Sequence, residues 1–267
     1  MNSICPLCAK PATYSENNLG IHCEGLNCSE CGCNARNRFY YAAINFALGE
    51  FKNGENYSLS MLESSSEGYR LLKDAYIIQL DRAGTNVICA DFYQAGFQSP
   101  ENVDLMNIHF ESGRFDIIAS SHVLEHIPDD LAAISECYRV LRPGGVLVLG
   151  IPIQTDFTFP VDNEVHGDNA KVFRRNGWDV IEKLKLAGFE VTVKVPPECP
   201  GLLQASNRNL TSLAIDNIMV GQKFSAEFNK YQALFSPLCS AAYSKSQRFA
   251  EISGALEIFI ARKPYRL

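Results

Sequence analysis

FDIIASSHVLEHIPDDLAAISECYRVLRPGGVLVLGIP, running from Phe115 to Pro152, decides the fold. It opens on a short apolar strand, Phe115–Ser120, rich in β-branched residues. Ser120, Ser121, His122, Glu125 and His126 follow where that strand must end. A helix comes next. Asp129 and Asp130 lie near its start, where the helix dipole favours acids, and Leu131, Ile134, Cys137 or Tyr138, and Leu141 recur at helical spacing. Arg139 and Arg142 fall in the expected last turn, and Pro143-Gly144-Gly145 is the expected stop. Val146–Ile151 is a second strand. A strand, helix and strand of this length form a βαβ unit with parallel strands. Ligands bind beyond the carboxyl ends of such strands, so Ser120–His126 falls where chemistry is expected.

The same residues carry a resemblance. Phe115-Asp116, His122-Val123-Leu124-Glu125-His126 with Pro128-Asp129, and Leu141-Arg142-Pro143-Gly144-Gly145 together resemble the fourth and fifth strands of class I S-adenosylmethionine-dependent methyltransferases. The resemblance implies an α/β, Rossmann-like, seven-stranded sheet. It also implies an enzyme that takes S-adenosylmethionine as its cofactor.

The 267 residues allow one large domain and a small appendage. Their 46% hydrophobic and 20% charged content is that of an ordinary soluble protein. No apolar run approaches the roughly 20 residues of a membrane span, and a signal-peptide pattern is not seen, so a cytoplasmic protein is expected. The formal net charge of −6 leans against nucleic-acid phosphates as the main partner.

Ten cysteines are many, and six of them cluster at Cys5, Cys8, Cys23, Cys28, Cys31 and Cys33. With no secretory pattern, clustering points to metal rather than disulfides. Cys5-Pro6-Leu7-Cys8 and Cys28-Ser29-Glu30-Cys31 are two knuckles that together complete a tetrahedral zinc site, giving a zinc-ribbon-like module over residues 1–38. Cys23 can replace Cys28 only by leaving the second pair unused. Cys23 and Cys33 otherwise read as small apolar residues. Residues 39–56 read as a connecting helix and linker whose aromatic face, from Phe39 to Leu48, packs between module and main domain.

Residues 57–267 read as the methyltransferase domain. Tyr57–Glu63 is the expected first strand. The resemblance assigns Glu63, Ser64 and Ser65 to the loop under the cofactor, where serines stand in place of most of the family's glycines. Asn86–Ala90 is the expected second strand. The resemblance gives Asp91 the ribose hydroxyls, which one carboxylate accepts together, and sets Phe92 against the adenine. It reads Val103–Phe110 as the third strand and its loop, with Asp104 and Leu105 on the adenine edge, and Ser120, Ser121 and His122 beside the cofactor.

After Pro152 the pattern is irregular up to His166. Trp178–Leu186 is amphipathic and Phe189–Val195 reads as the sixth strand. A family histidine has no counterpart in Ala170–Arg174. Residues 196–254 read as a helical insertion over the acceptor site or at a dimer interface, with Leu210, Leu213, Ala214, Asn217 and Ile218 on one helix. Ala255–Ala261 is the expected last strand, and Arg262–Leu267 a polar tail.

Methyl transfer mainly requires a positioned acceptor and excluded water, and a weakly acidic acceptor also needs a base. His122 at the strand end and His166 in the loop are the candidate bases; His126 reads as orienting the turn through Glu125. A small-molecule or saccharide-precursor acceptor with structural zinc is the leading expectation. An RNA methyltransferase is the alternative enzyme, since some rRNA guanine methyltransferases also open on a zinc module. A degenerate, non-catalytic binding protein is the alternative outside enzymes.

Overall fold

The computed structural model describes residues 3–5, 7–15, 27–33, 35–49, 58–62, 86–91, 101–155, 157–165, 170–195, 218–220 and 258–265. The chain starts with two short antiparallel pairs. β1 (Ser3–Ile4) pairs with β2 (Pro11–Ala12), and β3 (Tyr14–Ser15) with β4 (Asn27–Cys28). Helix α1 spans Ala35–Gly49 and so begins within the stretch assigned to the cysteine module. Tyr40, Tyr41, Ala43, Ile44 and Ala47 form its buried face. The Tyr40 hydroxyl donates to the Val148 carbonyl at 3.1 Å, so the aromatic face is packing surface, as expected.

The main sheet is built from β5 (Ser58–Leu62), β6 (Asn86–Asp91), β7 (Glu101–Asn102), β8 (Phe115–Ser121) and, after helix α2 (Asp130–Val140), β9 (Leu141–Gly150). β10 (Ile153–Thr155), β11 (Phe159–Val165) and β12 (Lys171–Gly177) form a separate three-stranded sheet in the order β10-β12-β11. Helix α3 (Val180–Leu186) then leads to β13 (Glu190–Val195), β14 (Ile218–Val220) and β15 (Ile258–Arg262). The main sheet runs β14-β13-β15-β9-β8-β5-β6-β7. β15 is antiparallel to both neighbours, and the other pairings are parallel. The chain moves outward from β5 in both directions, through β6 and β7 on one side and β8 and β9 on the other. The switch point therefore lies between β5 and β8.

Several expectations are corrected. The sheet has eight strands among the described residues rather than seven. The eighth, β14, includes Ile218, which the apolar spacing had put on a helix. Its three residues pair in register with Val193, Lys194 and Val195, and ladder bonds at an open sheet edge outweigh a weak helical pattern. The rest of residues 196–257 lies outside the described residues.

The third strand is β7, ending at Asn102, and Val103 onward is a turn. Asp104 Oδ1 accepts the Met106 N–H at 2.8 Å, and Asp104 bridges Asn107. Aspartate competing for backbone N–H groups ends the ladder there.

Helix α2 ends at Val140, so Arg142 is not in its last turn. Lys263 from the far end of the chain sends its Nζ to the Tyr138 and Leu141 carbonyls, each at 2.7 Å, in place of a further helical turn. Lys263, in the expected polar tail, is therefore anchored on the end of α2. Arg142 instead pairs with Asp116 across the β8–β9 register shift that holds Pro143-Gly144-Gly145. Gly144 sits at φ +79°, and an added Cβ would lie 2.3 Å from the Tyr265 ring, so only glycine fits. The α2 N-cap is Asp129, which accepts the Ala132 N–H at 3.0 Å. Ala133, Ile134, Cys137 and Val140 face the core, while Leu131, expected on that stripe, is exposed.

The core lies on both faces of β8 and β9. All seven residues of β8 are buried, as a strand between parallel neighbours requires. Each fully buried Ile or Leu here contributes roughly 1.5–3 kcal/mol relative to exposure.

Candidate active site

β8 delivers Ser120 and Ser121, both buried, to the carboxyl end of the sheet beside the switch point. The Ser120 hydroxyl has no hydrogen-bond partner among the described residues. A buried polar atom normally has one, so the orphan marks a place where a ligand atom fits. The chain then turns sharply. His122 adopts φ +55°, a left-handed conformation uncommon outside glycine, and its N–H donates to the Gly150 carbonyl at 2.8 Å. Backbone held in this region is often found at functional sites.

A single helical turn, Leu124–His126, follows. Glu125 is 2% exposed and stands between two imidazoles. Its Oε1 is 3.7 Å from His122 Nδ1 and 4.0 Å from His126 Nε2. His126 Nδ1 lies 2.7 Å from the Lys171 carbonyl. A carbonyl only accepts, so Nδ1 carries the proton, and Nε2 faces the carboxylate. The cluster can take up a proton on an imidazole and hold the resulting cation against a buried carboxylate.

Other candidate residues stand as follows. Asp91 is the last residue of β6, in register with Asn102 of β7, so its backbone sits at the same end of the sheet. Asp104 is half-buried with one oxygen committed to Met106, and Leu105 is buried in the core. The 104–110 turn is clamped from α2. Glu136 Oε2 accepts the Ile108 N–H at 2.9 Å, and Arg139 donates to the Ile108 and Phe110 carbonyls at 2.6 and 2.9 Å. The hydrogen bond from Arg139 holds the Glu136 carboxyl below its ordinary pKa, and the same contact raises the Arg139 guanidinium. Glu63, Ser64, Ser65, Phe92 and His166 lie outside the described residues.

Sequence reading missed Arg174. Val172, Arg174 and Asn176 alternate along β12 on one buried face, a pattern that in hindsight marks an inward-facing arginine. Its Nη1 donates to the Leu124 and Ile127 carbonyls at 2.7 and 2.6 Å, and its Nη2 to Pro128 at 2.7 Å.

At the other end of the chain, the sulfurs of Cys5, Cys8, Cys28 and Cys31 all lie within 4.8 Å of one another. Cys5–Cys31 and Cys8–Cys28 separate by 3.9 and 4.0 Å. Zinc–sulfur bonds of about 2.3 Å at tetrahedral angles place sulfurs about 3.8 Å apart, so the donor set fits zinc. Without a cation the thiols compete for protons. Hydrogen bonds from Cys31 and then Cys33 pull the Cys5 pKa down, while those to Cys33 and Cys5 push Cys31 up. Cys33 is buried, 3.5 Å from the Cys5 sulfur, and its carbonyl accepts from buried Arg38 at 2.7 Å. Cys23 lies outside the described residues.

Residues 68–149 match a family model described as a methyltransferase domain. A "probable S-adenosylmethionine-dependent methyltransferase" of Mycolicibacterium smegmatis is 32% identical over 88 residues, 33% of this chain and 34% of that protein. A demethylmenaquinone methyltransferase of Staphylococcus saprophyticus is 34% identical over 95 residues, 36% of this chain and 31% of that protein. The chain thus spans about a third of the length of these curated relatives. The crystal structure of the [4+2]-cyclase SpnF aligns over 97% of this chain and 89% of its own, with a TM-score of 0.50 and 17% identity. That likeness speaks for the fold alone. By sequence, residues 68–149 are similar to a methyltransferase domain, and the Mycolicibacterium smegmatis relative carries the name of an S-adenosylmethionine-dependent enzyme.

Proposed function

We propose that the chain is an S-adenosylmethionine-dependent methyltransferase acting on a small molecule, with a structural zinc held by Cys5, Cys8, Cys28 and Cys31. One observation carries the reading: the segment matching the methyltransferase domain ends on β9, beside the strand that delivers Ser120, Ser121 and His122 to the switch point. In this reading residues 1–38 are the zinc module, 39–56 the connection, and 57–267 the catalytic domain with an insertion at 196–254. The buried, partnerless Ser120 hydroxyl supports a ligand there. Asp91 would hold the ribose, Asp104 and Leu105 the adenine edge, and Glu63, Ser64, Ser65 and Phe92 the rest of the cofactor. Bound S-adenosylmethionine supplies an electrophilic methyl group on a sulfonium. His122 takes the acceptor's proton on its ring as the nucleophile is freed, and Glu125 behind it stabilises the imidazolium. His166 is the alternative base.

The named activities of the quinone-pathway relatives, a demethylmenaquinone methyltransferase and a ubiquinone biosynthesis O-methyltransferase, favour a quinol-like hydroxyl or ring carbon as the first acceptor to try. A saccharide hydroxyl is the second. RNA is disfavoured because Arg38, one of the few cations of the module, is buried and donates to the Cys33 carbonyl instead of lying open to phosphates. No helix among the described residues is long and apolar enough to cross a membrane, in keeping with a cytoplasmic placement. The test is transfer from methyl-tritiated S-adenosylmethionine to catechols, hydroquinones, sugar nucleotides and RNA. Label in a small aromatic or sugar product supports the reading, and label in RNA alone overturns it.

A further inference from the structure

We propose that Arg174 is a positioning residue for methyl transfer, holding the turn that carries Glu125 and His126 and, through Glu125, the ring of His122. The inference rests on reading His122 as the acceptor's base. β12 grips that turn at two points. At one, the Lys171 carbonyl takes His126 Nδ1–H at 2.7 Å. At the other, Arg174 spans the Leu124, Ile127 and Pro128 carbonyls at 2.6–2.7 Å. These three carbonyls lie ahead of α2, outside its ladder; Leu124 also accepts the Ile127 N–H at 3.3 Å, and Arg174 ties that carbonyl to the next two peptide oxygens it reaches, at Ile127 and Pro128. Only a guanidinium presents enough N–H groups in one plane to satisfy all three.

The charge of Arg174 is matched by Asp130, whose Oδ2 is 3.5 Å from its Nε and 2.7 Å from Lys183 Nζ. Lys183 also lies 3.9 Å from Asp179, whose other oxygen accepts the Thr158 N–H and hydroxyl at 2.7 Å. The small sheet, the starts of α2 and α3, and the turn are thus one connected polar unit. Among the described residues, the bonds of Arg174, Asp130 and Lys183 run to the turn, to each other and to Asp179, not to β6 or the 104–110 turn, which predicts an effect on the acceptor side and little on adenosine binding.

The experiment compares full-length, zinc-loaded wild type with Arg174→Lys. Long-range nitrogen–proton spectra of the imidazoles, thermal unfolding, calorimetry with S-adenosylhomocysteine, and turnover of a catechol probe are recorded on the same samples. The His126 and His122 ring signals should move while His109 stays, with S-adenosylhomocysteine affinity held within about twofold and turnover lowered about tenfold. A folded Arg174→Lys protein whose His122 and His126 signals match wild type overturns the proposal. Moved imidazoles with unchanged turnover show that Arg174 holds the turn but overturn its role in methyl transfer, and with it His122 as the base. If Arg174→Lys does not fold, Asp130→Asn, which loosens the guanidinium from one side, should move the same two ring signals in the same sense. Unmoved signals in that variant overturn the proposal as well.

Discussion

Tyr40 of α1 donates its phenolic hydrogen to the carbonyl of Val148, near the carboxyl end of β9, across a separation of 108 residues. Two residues further along the same strand, Gly150 accepts the N–H of His122. The helix that leaves the cysteine cluster is therefore fastened to the strand whose end supports the candidate base. Removing the hydroxyl in Tyr40→Phe leaves the ring packed and costs one buried hydrogen bond, about 1 kcal/mol. A denaturant titration should show a lower midpoint at unchanged slope; an unchanged midpoint would mean the bond adds nothing in solution.

The cysteine geometry separates candidate ligands from neighbours. Protein purified without chelator should hold one zinc per chain. Cys31→Ser should lose it, and Cys33→Ser should keep it, because Cys33 is outside the set of four mutually close sulfurs. Metal analysis by mass spectrometry reads both. Loss of zinc in Cys33→Ser with retention in Cys8→Ser would exchange those two roles.

Glu136 gives a pH signature. Its carboxyl is depressed in the folded chain by Arg139, so its stabilising contribution is complete above the unfolded value of about 4.3 and disappears as pH falls through the lower folded value. The stability gap between wild type and Glu136→Gln should be constant from neutral pH down to about 4.3 and close below it. Chemical denaturation at a series of pH values measures this; a gap that widens on acidification contradicts the assignment.

Base chemistry at His122 is separable from binding. His122→Asn should retain S-adenosylhomocysteine affinity within a few fold and lower turnover of a hydroxyl acceptor by about a hundredfold, the lower end of general-base contributions. Unaltered turnover would pass the role to His166.

What the sequence disclosed depended on how strongly each signal was local. The βαβ unit around Phe115–Pro152 was legible because β8 and β9 are buried on both faces and Asp129 caps the helix between them. The knuckle cysteines were legible because two turns of fixed length bring them together. The end of α2 was not, because the group that caps it, Lys263, lies more than a hundred residues away in the chain. β7 was misplaced because Asp104 redirects its own carboxylate to Met106 N–H. The small sheet was missed because β11 is exposed along most of its length and lacks an apolar face. Arg174 was passed over because charge ordinarily means exposure, and only its carbonyl partners reveal its buried place.

The central claim is that the switch point beside Ser120 binds S-adenosylmethionine. Isothermal titration of the wild-type, zinc-loaded chain with S-adenosylhomocysteine tests it most directly, with Asp91→Ala as its partner experiment. Saturable binding at one site per chain is expected, weakened in Asp91→Ala by no more than about 3 kcal/mol, the scale of charge-assisted hydrogen bonds. A folded wild-type chain with no binding at millimolar ligand would contradict it and leave a methyltransferase fold used for something other than methyl transfer.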